Sequence, residues 1–365
     1  MQEQDRHLPV QTDTAAEVAA VQPQRLRFEF YGNASEYFKI WLVNLCLTIV
    51  TLSFYAPWAK VRNLRYFYGN TALAGGRFDF TAQPSRILIG RLIATAVFAA
   101  VSVLSQLDPA YALAVWGVFV LLMPWLVRST MRFRARNSKY GNARFHFSAS
   151  LGATYWLFIK CLLVTLLSFG LLYPLALYWF KSYQINHLRA GHLPFRLWAG
   201  VGSYYKAVIL PYLLGILALA LVVGLAGLAG GVGGAWQNAH PETAVMLLSV
   251  ALSAVYVLML GFFVPLTQGY LFRATWESAG VGRSWITTDL NPYRYAWIKF
   301  SNYVLTVATL GLMRPWSLVR LYRYQAASLQ VELKDDPQDL LNIAQDDPNS
   351  IGEELSDVFD IDISL

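Results

Sequence analysis

Four times along this chain an apolar run ends in a proline that is followed eight residues later by an arginine: Pro57 and Arg65, Pro124 and Arg132, Pro265 and Arg273, Pro315 and Arg323. Aromatics keep step with the prolines. Phe78, Phe145 and Phe195 stand 21 residues after Pro57, Pro124 and Pro174, and Trp285 stands 20 after Pro265. Phe28 and Phe145 stand 29 residues before Pro57 and Pro174. Spacing held this closely points to a chain built by repeating one unit. Proline lacks the amide donor and clashes with the preceding turn, so each one reads as the end of an apolar helix. With Trp and Lys or Arg close behind, it reads as the point where that helix leaves a bilayer.

Composition fits a membrane body. The chain is 56% hydrophobic and only 14% charged, with mean hydropathy +0.39, which excludes an ordinary soluble domain. Seven apolar segments approach the roughly 20 residues that span a hydrocarbon core: Tyr37–Pro57, Ile87–Leu107, Tyr111–Val127, Tyr155–Phe180, Ala207–Gly230, Ala244–Gln268 and Tyr295–Trp316. Residues 1–24 are polar and read as a disordered lead-in rather than a cleavable signal. Residues 25–330 form the repeat-built transmembrane domain and 331–365 an acidic tail expected to be disordered. Eleven of the 22 acidic residues lie in the last 34 positions against one lysine, so the tail carries −10 and the rest +17. Cys46 and Cys161 lie inside apolar runs, which suggests neither a disulfide nor a metal site.

The first, fourth and seventh segments share a Thr nine residues before the proline (Thr48, Thr165, Thr306) and a small residue four before it (Ser53, Gly170, Gly311). The second and third, and the fifth and sixth, pair as hairpins. Two topologies compete. Seven spans in strict alternation put the C-terminus in the cytoplasm but leave two basic connections outside. Re-entrant first, fourth and seventh segments would put every basic connection inside, as the positive-inside rule prefers. We expect seven spans, because the first segment has no Gly or Pro between Ser35 and Pro57 and a break facing lipid leaves backbone groups unsatisfied. The expected fold is thus an all-α polytopic bundle of about seven apolar helices, internally repeated. Small β-hairpins on the connections follow from Ala74-Gly-Gly76 and Gly141-Asn142 ahead of alternating Arg-Phe-x-Phe runs.

The stretches Phe28-Glu-Phe-Tyr-Gly-Asn, Tyr55-Ala-Pro-Trp-Ala-Lys-Val-Arg-Asn-Leu-Arg-Tyr-Phe-Tyr-Gly-Asn and Arg77-Phe-Asp-Phe resemble the YjgN family of bacterial inner-membrane proteins. The later Pro124-Trp125, Pro174 and Pro315-Trp316 segments extend the resemblance over about residues 28–330. It implies a multi-pass protein of the bacterial inner membrane. It implies no activity.

Candidate site residues fall in two sets. Trp58, Lys60, Arg65, Trp125, Arg132, Arg273, Trp316 and Arg323 follow the prolines and are candidate contacts for anionic lipid headgroups or a ligand; a plain helix end with anchoring Trp and snorkelling Lys explains them as simply. Asn44, Thr48, Lys160, Thr165, Lys299, Asn302 and Thr306 are polar within apolar runs, and such residues turn toward protein or mark a pathway. No catalytic constellation, metal-ligand spacing or cofactor motif stands out in the membrane body, and no nucleic-acid partner is expected. Membrane lipids, anionic ones above all, are the expected partners. The functional expectation is transport or the handling of lipids or solutes; the alternative is an envelope scaffold that recruits partners through its basic connections or acidic tail.

Overall fold

Each basic connection folds as a tight β-hairpin, and the hairpins join. The computed structural model describes residues 24–107, 109–141, 143–232 and 241–333. The chain enters as β1 (Gln24–Arg27) and β2 (Glu29–Phe30), then repeats one order: two helices, then two strands. The first round is α1 (Ala34–Val50), α2 (Ala56–Gly69), β3 (Thr71–Leu73) and β4 (Gly76–Phe80). The second is α3 (Pro84–Leu107), α4 (Pro109–Arg136), β5 (Ser138–Tyr140) and β6 (Ala143–Phe147). The third is α5 (Leu151–Leu167), α6 (Tyr173–Asn186), β7 (Leu188–Ala190) and β8 (Leu193–Leu197). The fourth is α7 (Val201–Val232), then α8 (Pro241–Leu258) running through a π-helical turn at Met259–Phe263 into α9 (Val264–Trp276), then β9 (Ala279–Val281) and β10 (Ser284–Thr288). The last is α10 (Pro292–Ala308), α11 (Arg314–Ala327) and β11 (Leu329–Leu333).

All strands belong to one antiparallel sheet of 11 strands in the order β1-β11-β10-β9-β8-β7-β6-β5-β4-β3-β2. Its two ends, β1 and β2, are halves of a single segment interrupted at Phe28. That segment pairs with β11 at its start (Leu26 opposite Val331) and with β3 at its end (Glu29 opposite Ala72). The sheet therefore curls round into a barrel, which removes the exposed edges an open sheet would carry. Two-residue turns make this possible. Ala74, Gly141, Gly191 and Gly282 each take a positive φ at the first turn position, as the primed turns that match strand twist require.

This overturns the all-α expectation. The connections are no ornaments on a helical bundle; they are the walls of a barrel. The helices form a second ring beside it, each packed on its neighbours, α1 on α2 and so on round to α11, which packs on α1.

Nor do seven helices span. Among the described residues, three stretches are long and apolar enough to cross a bilayer: Pro84–Val103, Val201–Leu225 and Val255–Trp276. The first, fourth and seventh apolar segments each break into two helices, at residues 51–55, 168–172 and 309–313. Their arms, α1, α5 and α10, hold 17 residues each, about 25 Å of helix at 1.5 Å per residue. Pro57, Pro174 and Pro315 open the returning helix, where the missing amide is an orphan anyway. Pro124 sits inside α4.

The breaks are alike in detail. Leu52, Phe169 and Leu310 take φ near 50°, and Ser53, Gly170 and Gly311 take 73°, 85° and 93°. The amides of Ser53, Gly170 and Gly311 reach back five residues to the carbonyls of Thr48, Thr165 and Thr306 at 2.7, 2.8 and 2.7 Å, a Schellman-type helix end. A hydroxyl then clamps the turn. Thr51 Oγ1 donates to the Leu47 carbonyl at 2.6 Å and accepts from the Tyr55 amide at 3.0 Å. Ser168 Oγ does the same with Val164 and Leu172 (2.6 and 3.0 Å), and Thr309 Oγ1 with Leu305 and Met313 (2.7 and 3.1 Å). The unsatisfied backbone that argued against a break is thus satisfied within the turn itself. At the tips Leu52, Phe169 and Leu310 are 85%, 96% and 95% exposed, a surface that suits hydrocarbon and not water.

The lead-in 1–23, residues 233–240 and the acidic tail from 334 on lie outside the described residues.

Candidate functional site: an apolar chamber inside the barrel

Strand alternation sends every second side chain inward. Phe78, Phe145, Phe195 and Val331 point into the barrel while Arg77, Arg144, Arg196 and Glu332 alternate with them along the same strands. The inward side chains meet across the ladder. Phe28 stacks on Phe78 with ring centroids 5.9 Å apart, Phe78 meets Tyr140 at 4.8 Å, and Phe145 meets Phe195 at 6.2 Å. The aromatics that kept step with the prolines therefore line one space. The fourth member differs from the sequence expectation. Ile286, 21 residues after Pro265, faces inward, while Trp285 lies outside against Trp198 at 4.3 Å.

These side chains line a half-open cavity of about 440 Å³, bordered on one side by the ends of the returning helices through Tyr68, Phe272, Trp276, Tyr322, Gln325 and Ala326. The size lies within the usual range of small-molecule sites, roughly 300–1,000 Å³. Among the described residues, no charged side chain lines it. Its few polar groups are neutral. The Tyr140 hydroxyl donates to the Leu73 carbonyl at 2.6 Å, and burial pushes this phenol above its ordinary pKa, keeping it protonated. Thr71 Oγ1 and the Tyr322 hydroxyl lie 3.0 Å apart.

The proline-following residues do not converge on this chamber; several instead tie helices to strand exits. Arg65 Nε and Nη2 donate to the carbonyls of Phe80 and Ala82 at 3.0 and 3.1 Å. Arg323 Nη2 donates to the Gly32 carbonyl at 2.8 Å. Arg128, which sequence reasoning passed over because it stands four residues after its proline rather than eight, does the same for Ala149 at 2.7 Å. Arg273 pairs with Glu277 one turn on, at 3.0 Å. Lys60 and Arg132 are exposed and Trp125 is half-buried. Trp58 stacks on Tyr55, and Trp316 lies under the Arg320 guanidinium at 5.0 Å.

The intramembrane polar set is distributed over separate helix pairs. Asn44 is buried and its Nδ2 donates to Asn63 Oδ1 at 3.0 Å, pinning α1 to α2. Asn302, also buried, donates to the Ser317 carbonyl at 2.9 Å and accepts from Arg320 at 3.1 Å, pinning α10 to α11. Thr48 and Thr306 donate to the carbonyls of Asn44 and Asn302. Thr165 is half-buried on α5. The Lys160 ammonium sits 3.7 Å from the Trp179 ring centroid, and Lys299 donates to Gln268 Oε1. No single polar site at mid-depth gathers them.

Residues 25–358 match the family described as "Bacterial protein of unknown function (DUF898)". The chain belongs to this family. The match runs well into the acidic tail, further than the resemblance read from the sequence. Curated relatives carry the name Inner membrane protein YjgN. The protein of Salmonella typhimurium is 28% identical over 128 residues, 35% of this chain and 32% of the relative. Those of Escherichia coli O157:H7 and K12 are each 28% identical over 130 residues, 35% of this chain and 33% of the relative. The alignment thus spans about a third of the curated relatives' length. The names of these relatives, together with the three apolar stretches long enough to cross a bilayer among the described residues, support a location in the bacterial inner membrane. No solved structure matches it.

Proposed function

We propose that this protein handles lipids: a crown of helical hairpins sits in the inner membrane and delivers an apolar molecule to the barrel beside it. The observation that carries this reading is the apolar, half-open chamber of about 440 Å³, lined among the described residues by no charged side chain. A packed scaffold needs no such space, since protein interiors are otherwise filled to crystal density. Exposed Lys60 and Arg132, with the barrel's outward arginines, would draw anionic headgroups to the rim, each worth about 1 kcal/mol near the surface.

The topology belongs to the same proposal. The three apolar stretches lie in α3, α7 and the α8–α9 run; with α4 returning beside α3 they cross the bilayer as two hairpins, while α1–α2, α5–α6 and α10–α11 enter and turn back. Every β-hairpin and the exit of β11 then lie on one side, and their basic residues make that side cytoplasmic. In a variant with Cys46 and Cys161 replaced, His192→Cys and Arg283→Cys should be labelled by a membrane-impermeant maleimide only after the inner membrane is opened. Strict alternation of seven spans would expose both from outside.

The chamber is tested by filling it. Ile286→Trp places an indole inside the barrel, and lipid co-purifying with the protein, measured by mass spectrometry, should fall at least about tenfold, equivalent to 1.4 kcal/mol. Unchanged lipid content in a folded Ile286→Trp protein would remove the basis of the reading.

A further inference from the structure

We infer that the molecule held in the chamber is an uncharged amphiphile, an alkyl or prenyl chain ending in a hydroxyl-bearing head, and that its head lies against Gln325 and Tyr68. This rests on the lipid-handling reading and narrows it to a chemical class. Two observations support it.

The first is what the wall lacks. Among the described residues, no Lys, Arg, His, Asp or Glu lines the chamber. A carboxylate or phosphate placed there would lose its hydration with no counter-charge to replace it, which apolar surroundings penalise heavily. The outward face of the same strands is rich in arginine, so the chain holds cations in plenty and keeps them out of this space.

The second is where the wall's polar groups stand. Tyr68 and Thr71 come from the end of α2 and the start of β3, and Tyr322 and Gln325 from the end of α11. These two helix ends touch, with the Phe67 and Tyr322 rings 4.8 Å apart. The opposite wall, with Phe145, Leu188, Phe195 and Val281, is apolar. The chamber therefore has a polar end and an apolar end, as a site for an amphiphile requires.

Within the polar end, some groups are already engaged. Thr71 Oγ1 donates to the Phe67 carbonyl at 2.7 Å and so accepts from the Tyr322 hydroxyl. The Gln325 amide and the Tyr68 hydroxyl have no hydrogen-bond partner among the described residues. Both residues are half-buried, so these two groups stand at the cavity free to meet the head of a ligand. Between them they offer both donors and acceptors. A hydroxyl head donates to one and accepts from the other; an ionised carboxylate can only accept.

The test compares three probes with one chain length on the purified full chain held in amphipol, which avoids hydroxyl-rich detergent. These are tritiated 1-monopalmitoylglycerol, palmitate and palmitoyl-lysophosphatidylglycerol at pH 8. Monopalmitoylglycerol should bind at least about tenfold more tightly than either anion, a preference set by the cost of burying an unpaired charge. Gln325→Leu and the gentler Tyr68→Phe should each weaken monopalmitoylglycerol about three- to tenfold, the loss of one hydrogen bond, and leave the anions unchanged. Ile286→Trp and the smaller Val281→Phe should abolish binding. If either anion binds as tightly as the neutral probe and is lost in Ile286→Trp, the class assigned here is wrong while the lipid-handling reading stands. If neither filling variant changes the binding of any probe, the chamber is not a lipid site and both readings fall.

Discussion

A Phe28→Pro variant should fail to fold. Phe28 is the point where the N-terminal segment passes from one end of the sheet to the other, pairing behind it with β11 and ahead of it with β3. Its amide donates to the Leu329 carbonyl at 3.1 Å, and its ring stacks on Phe78 inside the barrel. Proline removes the donor and leaves that carbonyl without its partner, a cost of about 1–3 kcal/mol. Loss of the ring also removes packing from the wall; Phe28 is partly buried, so this costs less than the roughly 3–5 kcal/mol of a fully buried Phe. The sum approaches the lower end of the stability of an ordinary domain, roughly 5–15 kcal/mol. Phe28→Leu keeps the donor and most of the volume and should lose less than about 2 kcal/mol. Thermal unfolding and limited proteolysis of the two purified variants decide it. Equal melting of Phe28→Pro and Phe28→Leu would mean that the sheet does not depend on closure through this segment.

Phe28 also shows how much of the fold the sequence made legible. Its spacing from Pro57, and the 21-residue interval to Phe78, Phe145 and Phe195, were visible at once and do mark equivalent positions in the barrel wall. The short hairpins were legible too, from Ala74-Gly-Gly76 and the alternation of Arg77-Phe-Asp-Phe80. What no local pattern carries is which strand pairs with which. Asp79 opposite Lys139 and His146 opposite Arg189 are contacts across a helical hairpin, and periodicity within a segment is blind to them. A preference for aromatic identity over phase then picked Trp285 instead of Ile286. In the chamber, the aromatic walls were in plain view as residues, but the shared cavity that makes them a site exists only once the strands come together.

The prolines misled for a different reason. Proline is excluded from the helix interior but welcome at its first turn, so it can close one helix or open the next. Without a Gly or Pro at residues 51–55, the first segment read as continuous. Leu52 at φ 48° breaks the usual rule, since a left-handed leucine costs about 1–2 kcal/mol. The turn tolerates it because every amide from Thr51 to Ala56 is bonded. The threonines that stood out, Thr48, Thr165 and Thr306, supply only carbonyls to that turn. The side chains that hold it are Thr51, Ser168 and Thr309, six residues before each proline. Ser and Thr are interchangeable in this role, and that exchange hides the recurrence from a search for identical residues.

Thr309→Val should therefore destabilise the protein far more than Thr48→Val. The first substitution is nearly isosteric but strips the acceptor from the Met313 amide at a turn whose neighbours, Leu310 and Leu312, are exposed and apolar. If that turn lies in hydrocarbon, no water replaces the lost partner, and the cost is about 2 kcal/mol by the usual effect of an unpaired buried polar group. Thr48 Oγ1 only adds a second donor to the Asn44 carbonyl, so its loss should stay within about 0.5 kcal/mol. Thr51→Val and Ser168→Ala should each match Thr309→Val. The three turns lie in different hairpins with no shared partner, so the triple variant should lose about 6 kcal/mol by additivity. Unfolding of each variant in lipid nanodiscs provides the comparison. Were Thr309→Val no worse than Thr48→Val, water would be reaching the Met313 amide, and the hairpin tips would face solvent rather than the bilayer interior.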